Sequence, residues 1–297
     1  MKQFKRQLAS IASPLLFAKY YKKRDVNWNK HKFACTISFD LDYSADCLAL
    51  PTLIEDLDSK GIKASFACIG KWIERYPKEH ALIIDSGHEI INHTYSHPDN
   101  DELKNSNRFD KISKGAQEFE IAKFEEVCEK VLSYKAVGFR APHFGDLNNQ
   151  NVYEILANRE YLYSSGTNMT VTKSHGYPYF PSKMDFKIQD EQQENNYDVL
   201  ELPIMSCPVH YFPVFDTTHC YHSNPPAHSK TGEFFSMFKK SIQQAEKYGL
   251  YANYYFDPKD TRNNPDFDLI LDFVSKQDAW LATSEMVAKF YKKVNSI

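Results

Sequence analysis

From about residue 33 the apolar positions switch back and forth between two periods. "FACTISFDLD" (33–42), "KASFACIG" (63–70), "HEIINH" (88–93) and "AVGFRAP" (136–142) are short apolar runs of strand length. Between them lie segments with helical spacing. "ALPTLIEDLDSKG" (49–61) places Leu50, Leu53, Ile54 and Leu57 on one side and ends at Gly61. "KEHALIIDSG" (78–87) ends at Gly87, "GAQEFEIAKFEEVCEKVLSY" (115–134) is amphipathic throughout, and "NQNVYEILANRE" (149–160) follows the fourth strand. Strands alternating with helices predict parallel pairing and an α/β fold.

After residue 161 the pattern loosens. "SHGYPYFPSKMDF" and "CPVHYFPVFDTTHCYHSNPPAHS" are rich in Pro, His and Tyr and read as loops. "LELPIM" (200–205) and "LYANYYF" (250–256) read as strands, and "GEFFSMFKKSIQQAEKYG" (232–249) and "DFDLILDFVSKQ" (266–277) as helices. The acidic stretch "DEQQENNYD" lacks apolar anchors and reads as exposed. The count suits a single-domain, closed or nearly closed barrel over residues 31–297, whose chemistry collects at the C-terminal ends of the strands.

Four polar clusters fall at those predicted ends. Asp40 and Asp42 stand two apart, so both carboxylates project to one side of the first strand. Two like charges there are costly to bury without a partner. "NHTYSHPD" supplies His93 and His97, four apart and adjacent if the chain coils after the strand. Arg140 closes the fourth strand and Asp257 the last of them, "LYANYYF". Each feature alone is weak, because acidic pairs mostly cap turns and a single arginine mostly forms a surface ion pair. Together, two imidazoles and one carboxylate make a set that holds a divalent transition metal and leaves positions open for water and substrate. Asp42 then faces the cation, and Asp40 is placed to act as a base on water. A metal and Arg140 would keep both carboxylates ionised.

Composition narrows the partners. With 36 basic and 39 acidic residues the chain has no basic surplus to favour nucleic acid. The exception is the first 24 residues, with seven Lys/Arg and no acid. Read as a helix, residues 1–30 form a basic amphipathic segment with Phe4, Leu8, Ile11, Leu15 and Leu16 on one side, suited either to packing on the domain or to peripheral membrane contact through residues 1–24. Pro14 weakens an unbroken helix. The run "LASIASPLLFA" is short and lacks a clear cleavage site, and no stretch of about 18 apolar residues exists, so the expected location is cytoplasmic, with membrane association through the basic segment. The six cysteines are scattered without a CxxC, as reduced thiols rather than a disulfide framework or a zinc knuckle.

At these same residues the chain resembles the polysaccharide deacetylases of carbohydrate esterase family 4, the NodB-homology type. "SFDLD" resembles the first family motif, usually TFDDG, with one residue between the aspartates. "HTYSH" matches H-[ST]-x-x-H, and "RAPHF" matches R-x-P with His143 where Tyr is usual. The resemblance is strong over about 33–145 and loose over about 195–260. It implies a distorted (β/α) barrel of roughly seven strands, one bound divalent ion (zinc, with cobalt or nickel as alternatives) and hydrolysis of an N-acetyl group on a sugar of a glycan. By motif, Asp42, His93 and His97 would be the metal ligands, Asp40 the catalytic base and Arg140 the residue that positions it; a backbone N–H near His143 would steady the oxyanion. His143, Phe144 and Tyr95 would border the substrate, and Trp72, Tyr211 and Phe212 are further aromatic candidates. The family's last motif supplies a His as general acid, and here "NYYFDP" puts Asp257 in that place. A carboxylic acid can take that role only with a raised pKa; His143, His210, His219 and His222 are the other candidates. The expected substrate is an N-acetylated carbohydrate, such as a sugar nucleotide or lipid-linked glycan in cell-surface polysaccharide assembly. A small-molecule amidohydrolase of the same fold, or a catalytically impaired glycan-binding relative, are the alternatives.

Overall fold

The computed structural model describes residues 8, 11–12, 15–16, 21, 26–143, 150–169, 176–181, 197–211 and 213–294. Eight strands form one all-parallel sheet: β1 (Phe33–Leu41), β2 (Ser65–Cys68), β3 (Glu89–Asn92), β4 (Gly138–Phe139), β5 (Tyr163–Ser164), β6 (Leu200–Glu201), β7 (Tyr251–Phe256) and β8 (Ala279–Leu281). The sheet runs β6-β5-β4-β3-β2-β1-β7, with β8 beside β1. β1 pairs with β2 over Ser38–Leu41 and with β8 over Phe33–Cys35, so β8 takes the stretch that β2 does not reach. Beyond β6, the Met205 N–H donates to the Asn253 carbonyl of β7 at 2.7 Å, which draws the two ends of the curled sheet together. This is the (β/α) barrel-like single sheet anticipated from the alternation.

β1 is the axis of the arrangement. All nine of its residues are buried, as a parallel strand covered on both faces requires. The helices that cover the sheet are α1 (Ser44–Ser59), α2 (Gly70–Arg75), α3 (Pro77–Asp85), α4 (Lys114–Leu132), α5 (Gln150–Asn158), α6 (Glu233–Tyr248), α7 (Pro258–Thr261), α8 (Pro265–Val274) and α9 (Ser284–Val294). α1 buries Leu50, Leu53, Ile54 and Leu57, the stripe read from the sequence. At its start the Asp46 carboxylate accepts from the Tyr43 N–H, and just beyond its end Gly61 takes the left-handed turn (φ 65°).

Four short elements carry no periodic signal. β5 has two residues, β8 three, α7 four and α2 six, fewer than a pattern can register. α9 also went unread. Of the N-terminal segment, Leu8, Ile11 and Leu15 are helical and exposed, Leu16 packs against the core and Tyr21 is buried. The rest of residues 1–25, most of "DEQQENNYD", and Phe144 and Phe212 lie outside the described residues. Among the described residues no helix is long and apolar enough to cross a membrane.

Candidate active site

The four polar clusters do end their strands on one side of the sheet. Asp40 is the penultimate residue of β1 and Asp42 follows it; His93 follows β3, Arg140 follows β4 and Asp257 follows β7. Asp40, Asp42, His93, His97, His143 and Asp257 border one cavity of about 320 Å³. Arg140 lies beneath it, fully buried.

Local hydrogen bonds explain how a strand end becomes a ligand cluster. The Asp42 carbonyl accepts from Trp72 Nε1 at 3.1 Å and from Asn100 Nδ2 at 2.8 Å, which fixes the backbone and leaves the carboxylate to turn inward. After β3, the Asn92 side chain accepts from the Thr94 N–H, and Thr94 Oγ1 accepts from the His97 N–H. The backbone N–H and hydroxyl of Ser96 both donate to Glu120 of α4, pinning the coil to a helix. Thr94 (φ 68°), His97 (φ 46°) and His143 (φ 51°) all take left-handed backbone, uncommon for such side chains and concentrated here at the cavity.

His93 Nδ1 lies 2.8 Å from the Arg140 carbonyl. A carbonyl only accepts, so Nδ1 carries a hydrogen, and in the neutral ring Nε2 presents a lone pair; burial lowers the His93 pKa, but Asp42 and Asp40 outweigh burial and raise it. His93 Nε2 stands 3.2 Å from Asp42 Oδ1, and His97 Nε2 stands 3.5 Å from the same oxygen. Asp42 Oδ1 and His93 Nε2 are buried and satisfy no hydrogen bond. Two acceptors facing each other in a buried place want a positive charge between them. Ligand-to-ligand edges around a divalent ion with bonds of about 2.0–2.2 Å come to roughly 3.0–3.5 Å, so the observed spacing fits one. Burial drives His97 down to about 4, leaving it neutral as a ligand must be. Burial works against the Asp42 charge, but His97 and His93 outweigh it and hold the carboxyl below the ordinary range.

Asp40 is set differently. Its Oδ1 accepts from Arg140 Nη1 at 3.0 Å; Arg140 Nη2 donates to Ser38 Oγ at 3.0 Å, and the guanidinium lies over the Tyr255 ring at 5.6 Å. Burial raises the Asp40 carboxyl, and Arg140 and His93 pull it back without cancelling the rise. Asp257 is raised well above the ordinary range by burial, which Lys259 only partly offsets. Its Oδ2 accepts from Thr217 Oγ1 at 2.5 Å. Burial thus shifts the Asp257 carboxyl in the upward direction that a proton donor needs.

Other candidates sit elsewhere. The Tyr95 ring packs over Gly70 and its hydroxyl donates to Glu74 at 3.2 Å, outside the cavity lining. Trp72 and Tyr211 are buried in the core. His222 pairs with Asp260 at 2.7 Å and His210 faces His219, leaving His143 and His219 as the cavity histidines beside the two ligands. The expected aromatic lining comes down, among the described residues, to Tyr255. Two cavity groups had not been anticipated, Asp216 and Tyr255. The Tyr255 hydroxyl donates to Asp216 Oδ2 at 2.6 Å, and burial pushes Asp216 up to about 6. Asp216 lies in the stretch read as loop, where a lone Asp gives no periodic signal; Tyr255 directly precedes the end of β7 and passes for core.

The curled parallel sheet thus carries, at its C-terminal edge, a set of two histidines and one carboxylate with an arginine-held carboxylate beside it. Residues 29–163 match the polysaccharide deacetylase family model. A peptidoglycan-N-acetylglucosamine deacetylase of Bacillus cereus is 29% identical over 123 residues, 41% of this chain and 40% of that protein; the chain thus matches about two fifths of the length of this curated relative. Among solved structures, a Mycobacterium smegmatis protein assigned as a polysaccharide deacetylase superposes with a TM-score of 0.72 at 17% identity, covering 92% of this chain and 94% of the other. A PuuE allantoinase superposes with a TM-score of 0.68 at 10% identity, covering 91% and 94%. Both share the fold.

Proposed function

We propose that the chain is a divalent-metal-dependent N-deacetylase that hydrolyses the acetamide of an N-acetylated sugar unit. The observation that carries this reading is the pairing, in one cavity, of an unsatisfied Asp42–His93–His97 set with an Asp40 carboxylate held by Arg140. A cation held by Asp42, His93 and His97, zinc or alternatively cobalt or nickel, would supply Lewis acidity toward the acetamide carbonyl and toward water.

The chain's own residues do the rest. Asp40 takes a proton from the attacking water, and Arg140 keeps its carboxylate aimed at the cavity. Asp257, raised by burial, donates a proton to the departing nitrogen as the C–N bond breaks. Acetate and a free amine leave, and Asp257 then recovers its proton from the medium and Asp40 releases the one it took. His143, in left-handed backbone, lines the cavity and stands where the family motif usually has Tyr.

The family match and the Bacillus cereus relative support an N-acetylated sugar as substrate class. A second reading, a small-amide hydrolase, draws on the polar lining, in which Tyr255 is the aromatic among described residues. The test is acetate release from a panel of N-acetylated sugars, sugar nucleotides, lipid-linked glycans and small amides, with protein stripped of metal and then reloaded. Metal-dependent release from the sugars is expected. Release from the small amides alone would move the assignment to the second reading, and no release from any would leave the glycan-binding alternative.

A further inference from the structure

Between β6 and α6 the chain runs for about thirty residues with little regular structure. Among the described residues it holds a five-residue π-type turn (Thr218–His222) and isolated bridges from Ile204 to Asn168 and between Ser206 and Val214. Yet four side chains spread along this segment meet at one point. Cys207 Sγ lies 3.5 Å from His210 Nδ1 and 3.3 Å from His228 Nε2, and His210 Nδ1 lies 3.0 Å from His219 Nε2. The four ligand-type atoms all fall within 4.8 Å of one another. Cys207, His219 and His228 are buried.

We propose that these four residues form a second metal site, distinct from the Asp42–His93–His97 set, that holds a structural zinc-class cation. Three of the contacts, at 3.5, 3.3 and 3.0 Å, are close to the edges of a tetrahedral site. With Zn–S of about 2.3 Å and Zn–N of about 2.0–2.1 Å, the edges of the tetrahedron come to about 3.5 Å from sulfur to nitrogen and about 3.3 Å between nitrogens. Hydrogen bonding accounts for single pairs such as His210 and His219. It does not by itself gather one sulfur and three imidazole nitrogens about a common centre. Four protein ligands fill the coordination sphere, so this is a closed site with no position for substrate.

Its place in the fold gives the site a purpose. The His219 N–H donates to Asp216 Oδ1, and Asp216 and Thr217 reach Tyr255 and Asp257 of the active cavity. A cation binding positions 207, 210, 219 and 228 cross-links the loop on both sides of Asp216 and Thr217. It thereby adds a side-chain cross-link to the scattered backbone hydrogen bonds of this cavity wall. The proposal stands apart from the deacetylase reading, since it uses none of the same ligands.

The test is cobalt substitution of the full-length chain, read by metal content and electronic absorption. Only this cluster contains a thiolate, so a thiolate-to-cobalt charge-transfer band reports on it alone. Wild-type protein is expected to hold about two cobalt ions per chain and to show the band. Cys207→Ser should lose the band and lower the ratio from about two to about one; His228→Gln should weaken the band. Asp42→Asn should lower the ratio equally while keeping the band. A wild-type cobalt protein without the band overturns the second site whatever the variants do, as does a Cys207→Ser protein with unchanged metal content. An Asp42→Asn protein with unchanged metal content counts against the catalytic site instead, so the two failures are told apart.

Discussion

Arg140 serves Asp40 and His93 at once: its guanidinium donates to the Asp40 carboxylate at 3.0 Å, and its backbone carbonyl accepts from His93 Nδ1 at 2.8 Å. One residue at the end of β4 thus aims the base and fixes the tautomer of a ligand. The two contacts separate on mutation, because a side-chain change removes only the first. Arg140→Met should leave metal content near wild type while lowering turnover by about 10²-fold, a loss of orientation. Removing one partner of a buried ion pair should also lower unfolding free energy by about 3 kcal/mol, measured by urea titration. Loss of the metal together with activity would contradict this division.

Asp42→Asn removes the only carboxylate of the ligand set. Metal affinity measured by calorimetry should fall by at least about 10²-fold, more than the 10–100-fold usual for a supporting residue. The fold should persist, because the Asp42 carbonyl, not its carboxylate, takes the hydrogen bonds from Trp72 and Asn100. Unchanged affinity would remove Asp42 from the ligand set.

Asp257→Asn keeps the shape and removes the transferable proton. Turnover should fall by about 10²-fold with metal content intact. His143→Gln should cost less, since His143 borders the cavity but does not carry the donor's role in this account. The opposite ranking would make His143 the acid.

Two buried histidines outside the site predict acid sensitivity. Burial pushes both His80 and His88 down to about 4 in the native chain, against an unfolded value near 6.5. Below pH ~6.5 the unfolded chain takes up protons that the native chain refuses, so stability is full above that pH and falls as pH drops toward ~4. His80→Leu should reduce the fall between pH ~6.5 and ~4, by an amount on the order of 3 kcal/mol. Urea midpoints of wild type and variant at several pH values check it; parallel curves would refute the assignment.

How much of this could be read beforehand follows from what leaves a periodic trace. β1, α1, α4 and α6 are long and regular, and their stripes gave both element type and order. Asp40, Asp42, His93 and His97 were recoverable because a strand end is where a charged pair is out of place. Asp216 was not, because it sits in a segment held by side chains rather than by backbone ladders. The same applies to Cys207, His210, His219 and His228. Cys-x2-His is visible in "CPVH", but the two later histidines follow at intervals of nine, which no local element explains. Read one at a time they are solvated loop residues. Tyr95 failed for the opposite reason: it stands between two ligands in sequence, but a left-handed Thr94 turns it outward onto Gly70.

The most direct test of the central claim sets Asp40→Asn beside wild type, with both metal content and acetate release measured on the same zinc-loaded samples. The account predicts equal zinc per chain and a loss of turnover of about 10³-fold, since Asp40 is the base and not a ligand. Wild-type turnover in Asp40→Asn with full metal, or loss of the metal along with the activity, would contradict it.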